Sequence, residues 1–97
     1  MPSLISSTSD NISLAHAVEV RFLDLCQMYS RTHGVELPIP SDLNRDMYRW
    51  RQMRVRHKQG DFRHTEAELR SVRTIAQWTL DAKRELCGKP TEQLQWE

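Results

Sequence analysis

The stretch LNRDMYRWRQMRVRHKQGDFRH, residues 43–64, combines a helical apolar pattern with half of the Lys and Arg residues of the chain. It contains seven Lys or Arg against two Asp, a local net charge of +5. At about 100° per residue, four of its apolar side chains fall within about 120° of one another: Leu43, Met47, Trp50 and Met53. The pattern predicts a helix over about residues 42–59. This helix ends at Gly60 and packs Trp50 into the core.

The same predicted helix carries a basic stripe on nearly the opposite side. Its members fall within about 60° of one another: Arg45, Arg49, Gln52 and Arg56. A guanidinium can bind phosphate oxygens through two hydrogen bonds, or the edge of guanine in the major groove. The stripe therefore indicates nucleic-acid binding. The alternative is a solvated face whose arginines pair with Asp46 or with acids of neighbouring helices.

An amphipathic helix is also predicted before this stretch. Ser13 is a suitable N-cap, apolar residues then recur at steps of three and four, and Gly34 can adopt the left-handed conformation that ends a helix. We therefore predict a helix over about residues 14–32. Residues 1–12 are rich in Ser, Thr and Asn, which predicts a flexible arm.

The third predicted helix follows the turn at Gly60. Thr65 precedes Glu68 by three residues, which is the spacing of a capping box, and Gly88 ends the helix. This helix has a second, weaker basic stripe within about 60°: Arg70, Arg73, Gln77 and Arg84. The segment GVELPIP, residues 34–40, cannot continue a helix because of its prolines, and Ser41 after it is a candidate N-cap.

These elements predict an all-α fold, a compact three-helix bundle with a disordered N-terminal arm and a short polar C-terminal tail. The predicted boundaries are a flexible arm over residues 1–12, a three-helix domain over residues 13–88 and a tail over residues 89–97. A chain of 97 residues is long enough for one domain with one small hydrophobic core.

Several functions find no support in the sequence. No apolar run approaches the roughly 20 residues that span a bilayer, and the N-terminus lacks the regions of a secretory signal. We therefore predict a cytoplasmic protein with no membrane partner. No Gly-rich phosphate loop, nucleophile motif or metal-ligand spacing occurs, so we expect no enzyme activity, no cofactor and no metal. Cys26 and Cys87 are expected to be buried free thiols.

The order of residues resembles the helicase-associated domain, a three-helix module of some bacterial and algal helicases. The resemblance covers roughly residues 22–80 and rests on the following residues: Phe22, Leu25, Tyr29, His33-Gly34, Leu37-Pro38, Met47-Tyr48-Arg49-Trp50, Gln52 with Arg54, Gly60-Asp61-Phe62, Glu66 and Trp78. It implies a DNA-contacting, helix-turn-helix-like bundle in which the helix of Trp50 supplies basic contacts. No helicase motor is encoded, so ATP hydrolysis is not implied.

The leading functional prediction is a small intracellular module that binds DNA, or structured RNA, through a basic patch. Its net charge is −3 over residues 1–43, +5 over residues 44–73 and −1 over residues 74–97. The predicted binding residues are the stripe with three helpers: Arg45, Arg49, Gln52 and Arg56, with Arg63, Arg70 and Arg73. Four to six neutralised phosphates predict a log-log salt slope of roughly −4 to −5 on duplex DNA.

The rival prediction is a protein-interaction module, such as a small phage-type or mobile-element-type regulator or inhibitor. Such a module would bind an acidic protein surface or a nucleic-acid-processing complex. The near-zero net charge of the chain and the net charge of −3 over residues 1–43 favour it. A third hypothesis is a homodimer through the first helix, because its apolar stripe is wide for one monomer.

Overall fold

The computed structural model describes residues 3–87, and three α-helices form most of this part of the chain. They are α1 at Ser9–His33, α2 at Asn44–Lys58 and α3 at Glu66–Cys87. Two short strands, β1 at Ile5–Ser6 and β2 at Arg63–His64, and a 3₁₀ turn at Ser41–Leu43 complete the fold. The predicted three-helix bundle is confirmed. The predicted tail at residues 89–97 and the predicted stop at Gly88 lie outside the described residues.

Helix α1 begins five residues earlier than predicted. Thr8 is its N-cap, in an extended conformation, and the Thr8 hydroxyl accepts a hydrogen bond from the backbone N–H of Asn11 at 3.2 Å. The predicted N-cap at Ser13 is therefore wrong, because Thr8 is an equally good cap and Asp10 suits the positive end of the helix dipole. The predicted end is confirmed: Gly34 has a φ of 75° and its N–H bonds to the carbonyl of Ser30.

The residues before α1 pair with the turn between α2 and α3. In the antiparallel pair of β1 and β2, Ile5 lies opposite His64 and Ser6 lies opposite Arg63. The N–H of Ser7 then donates to the carbonyl of Phe62 at 2.9 Å. Within the described residues, the predicted flexible arm is therefore corrected to a short strand followed by the start of α1, because backbone pairing holds its first part in place.

Helix α2 follows the 3₁₀ turn directly. Ser41 lies inside this turn and makes no side-chain capping bond, so its predicted role as N-cap is wrong. The turn is closed by backbone, since the N–H of Leu43 donates to the carbonyl of Pro40 at 3.0 Å. At the other end α2 stops at Lys58, and Gly60, with a φ of 83°, redirects the chain.

Helix α3 begins at the predicted capping box. The N–H of Glu68 donates to the Thr65 hydroxyl at 3.0 Å, and the Glu68 carboxylate accepts from the N–H of Thr65 at 2.9 Å. Two backbone groups that the helix cannot satisfy are therefore bonded by side chains.

The core lies where the three helices meet. Its centre is Trp50, whose ring packs edge-to-face on Phe22 with 5.2 Å between ring centroids. The predicted buried side of α2 is confirmed, and α1 and α3 supply further buried apolar residues: Leu43, Met47, Trp50 and Met53 from the 3₁₀ turn and α2, Ala15, Val18 and Phe22 from α1, Val72 and Ile75 from α3. This packing fixes which sides of α2 face outward.

Candidate nucleic-acid interface

Helix α2 carries six Lys or Arg residues and one acid, Asp46. The packing of α2 against α1 and α3 determines which of these cations can bind a partner. Two are held by acids of neighbouring helices. Arg54 donates to Glu19 of α1 at 2.7 Å, and its guanidinium lies 4.8 Å from the centre of the Trp50 ring. Arg54 therefore joins α1 to α2 through the ion pair, and it makes a cation–π contact with Trp50 of its own helix.

Arg56 is the second cation that a neighbouring helix holds. It forms a short ion pair with Glu68 of α3 and donates a further hydrogen bond to the carbonyl of Arg63 at 3.3 Å. The side chains of Arg56 and Glu68 are 20% and 9% exposed. Glu68 also accepts the capping bond, so one carboxylate serves both the cap and the ion pair. Arg56 was predicted to point outward, and this is wrong, because Glu68 neutralises it at the edge of the core.

Arg63 lies in β2 and pairs within its own turn. Its Nε and Nη2 donate to the two carboxylate oxygens of Asp61, both at 2.8 Å, and its backbone N–H donates to Asp61 as well. The Arg63 guanidinium lowers the pKa of Asp61 to about 2. The pair is exposed but carries no net charge, so Arg63 supplies less attraction for an anion than the sequence alone predicts.

The remaining predicted residues of α2 do face solvent. Arg45 and Gln52 are exposed and Arg49 is half-buried, and none of the three has a hydrogen-bond or ion-pair partner among residues 3–87. Asp46 lies between the two arginines but accepts a hydrogen bond from the Ser71 hydroxyl of α3, with 2.7 Å between the oxygens. Arg45 and Arg49 also line an open polar depression at the start of α2.

The two predicted helpers on α3 separate in the structure. Arg70 precedes Ser71, the residue that bonds to Asp46 of α2, and is exposed without a partner in the described part of the chain. Arg73 lies in a groove that α3 forms with α1, beside Arg21. We therefore group Arg70 with Arg45 and Arg49 as the basic face. Arg73 belongs to a different surface.

Sequence reasoning missed the acids that decide this grouping. Glu19 and Glu68 come from α1 and α3, so no pattern within α2 reveals which arginines they hold. One signal was present: Arg54 follows Trp50 by four residues, the helical spacing at which two side chains meet.

The two histidines that flank the turn at Gly60 have different surroundings. His57 contacts the Phe62 ring with 5.2 Å between ring centroids, and burial is the main cause that lowers its pKa. His64 is buried, and its Nδ1 lies 3.1 Å from the carbonyl of Thr65. Among residues 3–87, no group of three His, Cys, Asp or Glu side chains is arranged to hold a metal ion.

The outer side of α2 also carries apolar side chains. Tyr48 is 61% exposed and Val55 is 54% exposed. Seven residues separate them, which places both on one side of the helix, next to Gln52. These two side chains add exposed apolar surface next to the basic face.

Comparison with protein-family models, with curated proteins and with solved structures finds no match for this chain. The resemblance to the helicase-associated domain therefore stays a prediction. Within the described residues, no helix has both the length and the apolar character needed to cross a membrane.

Proposed function

We propose that this chain is a small cytoplasmic nucleic-acid-binding module, with DNA as its principal ligand. Its basic face consists of Arg45, Arg49 and Gln52 from α2 and Arg70 from α3. The observation that carries the proposal is the Ser71–Asp46 hydrogen bond, which directs the one acid of α2 toward α3, while Arg45 and Arg49 have no hydrogen-bond or ion-pair partner among residues 3–87. Three arginines that have no ion-pair partner in the described part of the chain, two on α2 and one on α3, attract a polyanion.

The contacts at this face are mainly to phosphate. Arg45, Arg49 and Arg70 supply three cations, fewer than the four to six phosphate contacts that the sequence predicts, because Arg56 and Arg63 pair with Glu68 and Asp61. Phosphate contacts give affinity with little choice of sequence. Gln52 is the one member of the face whose amide suits the edge of an adenine in the major groove.

The proposal is tested by measuring binding to a fluorescein-labelled random-sequence duplex at low salt. The variant Arg45→Gln/Arg49→Gln removes two cations of the face, and we expect at least about tenfold weaker binding. The matched control is Arg31→Gln/Lys58→Gln, which removes the same charge from the last turn of α1 and from the side of α2 next to α1. Its affinity should fall by no more than about threefold. Equal losses would show that net charge alone is responsible.

A protein-interaction module is the second proposal, and the exposure of Tyr48 and Val55 favours it. As a small regulator or inhibitor, the chain would place these apolar side chains and the basic face against an acidic protein surface. The test is purification of the tagged chain after nuclease treatment. A stoichiometric protein that is lost from a Tyr48→Ser/Val55→Ser variant supports this function, whereas an unchanged set of proteins contradicts it.

A homodimer through α1 is compatible with either function. Val20 and Leu23 are large apolar side chains of α1 that are exposed in the monomer. A dimer would present two basic faces and raise the affinity for a long duplex. Multi-angle light scattering gives the molar mass of the unmodified chain and of the Leu23→Glu variant. A dimer through α1 would give a dimer mass for the chain and a monomer mass for the variant, whereas a monomer would give the same mass for both.

A further inference from the structure

A second candidate binding surface lies between α1 and α3, and it contains no residue of α2. It is a groove with a volume of 260 Å³. Its apolar lining comes from both helices: Leu14, Ala17 and Val18 from α1, Ala76 and Leu80 from α3. Ala17 and Ala76 contribute only a methyl group each, so the two helices leave space between them at this point.

The groove has cationic groups on its lining. Arg21 of α1 and Arg73 of α3 both line it, and Arg73 is exposed with no hydrogen-bond or ion-pair partner in the described part of the chain. Gln77 also lines the groove, and its side-chain amide donates to Asp81 at 3.1 Å. An apolar trough with an unneutralised guanidinium fits a partner that is apolar at one point and negative beside it.

The volume of the groove indicates which class of partner it can bind. Sites for small molecules and cofactors enclose roughly 300 to 1,000 Å³ and bury most of the ligand. At 260 Å³, an open groove between two helices is below this range. A groove of this size can accept one bulky side chain of a partner protein. An amphipathic helix that binds in a hydrophobic groove inserts anchor side chains in this way.

We propose that the groove between α1 and α3 docks an acidic amphipathic helix of another protein. One Leu or aromatic side chain of that helix enters the trough between Ala17 and Ala76, and a carboxylate of the helix pairs with Arg73. The interaction goes beyond the proposed binding of nucleic acid and does not depend on it. Because the groove and the basic face use different residues, the chain can hold a nucleic acid and a protein at the same time.

The test uses a synthetic helical peptide of about 15 residues, with Leu and Phe at helical spacing and Glu on the flanks. A matched peptide carries Lys in place of every Glu. We expect the acidic peptide to shift the amide NMR signals of Ala17, Val18, Ala76 and Leu80, and the basic peptide to bind at least about tenfold more weakly. Equal binding of both peptides, or shifts confined to α2, would overturn the proposal.

Four variants separate the groove from the basic face. Ala76→Leu fills the groove and Arg73→Gln removes its cation, and we expect each to weaken the acidic peptide by about five- to tenfold. Arg70→Gln and Arg49→Gln are the matched controls and should change its affinity by less than about twofold. Arg73 is exposed, so its substitution keeps the test valid even if Ala76→Leu fails to fold. An unchanged affinity in Arg73→Gln, or a large loss in Arg49→Gln, would contradict the proposed site.

The same variants distinguish a failure here from a failure of the proposed function. Ala76→Leu and Arg73→Gln should leave duplex binding within about twofold of the unmodified chain, because neither residue belongs to the basic face. Loss of peptide binding with intact duplex binding supports two separate surfaces. Parallel loss of both activities in Arg73→Gln would show that Arg73 acts in nucleic-acid binding instead.

Discussion

The hydroxyl of Ser71 donates to the carboxylate of Asp46, and this bond links α3 to the first turn of α2, which carries Arg45. Asp46 lies three residues before Arg49, a spacing at which an acid and a base on one helix can pair. Because Ser71 is fully buried and holds the carboxylate toward α3, both arginines stay available to a partner.

Asp46 keeps its negative charge when it accepts from Ser71, so it should oppose the binding of nucleic acid without being needed for the fold. In Asp46→Asn the amide oxygen can still accept the hydrogen bond from Ser71, while the negative charge beside Arg45 and Arg49 disappears. We expect an affinity for duplex DNA about two- to fivefold higher than that of the unmodified chain. Fluorescence anisotropy at constant salt measures it. A lower affinity together with an unchanged melting temperature would disprove this role.

Arg56 should matter for stability and not for binding. Arg56→Gln leaves the buried Glu68 without its ion pair, and we expect the free energy of unfolding to fall by roughly 1 to 3 kcal/mol. Arg45→Gln, at an exposed position of the same helix, should change it by less than about 0.5 kcal/mol. Urea denaturation of both variants checks the contrast. A larger loss of stability in Arg45→Gln than in Arg56→Gln would refute the assignment.

The N-cap of α1 can be tested with a pair of substitutions. Thr8→Ala removes the oxygen that accepts from Asn11, and we expect a loss of about 1 kcal/mol in the free energy of unfolding. Ser13→Ala lies inside the helix and should be close to neutral. Thermal unfolding followed by circular dichroism compares the two. The reverse order of effects would restore Ser13 as the cap.

Stability should decrease in mild acid because of His57. Burial and the charge of Arg56 lower its pKa in the folded state, against the opposing effects of Asp61 and Glu68. In the unfolded chain the pKa of a histidine is about 6.5, so near and below this pH the unfolded chain binds more protons at His57 than the folded chain does. The free energy of unfolding is therefore highest above this pH and decreases as the pH falls below it. The urea midpoints measured at about pH 7.5 and at about pH 5.5 should differ less in His57→Gln than in the unmodified chain. If the midpoints differ by the same amount in the variant and in the unmodified chain, His57 is not a cause of the loss of stability in acid.

The elements that the sequence predicts correctly are those set by local patterns. The buried side of α2, with Trp50 at its centre, follows from helical periodicity, and the capping box of Thr65 and Glu68 follows from a three-residue spacing. The start of α1 could not be decided this way, because Thr8 and Ser13 are both suitable caps. Only the structure shows that the chain before Ser9 pairs with β2.

The candidate site was predicted less completely, because ion pairs depend on residues that are distant in sequence. A helical projection does not distinguish Arg45, Arg49 and Arg56. Glu68, which lies 12 residues after Arg56, nevertheless pairs with Arg56 alone of these three. Arg70 and Arg73 likewise belong to one stripe by spacing. The packing of α3 between α1 and α2 separates them.

The salt dependence of binding to a random duplex tests the central claim most directly. Three free arginines on the basic face predict a slope of about −3 in a plot of log affinity against log salt concentration. In Arg45→Gln/Arg49→Gln the slope should fall to about −1, whereas the control Arg31→Gln/Lys58→Gln should keep the original slope. Absence of binding at low salt, or an affinity that does not change with salt, would contradict the proposed nucleic-acid-binding function.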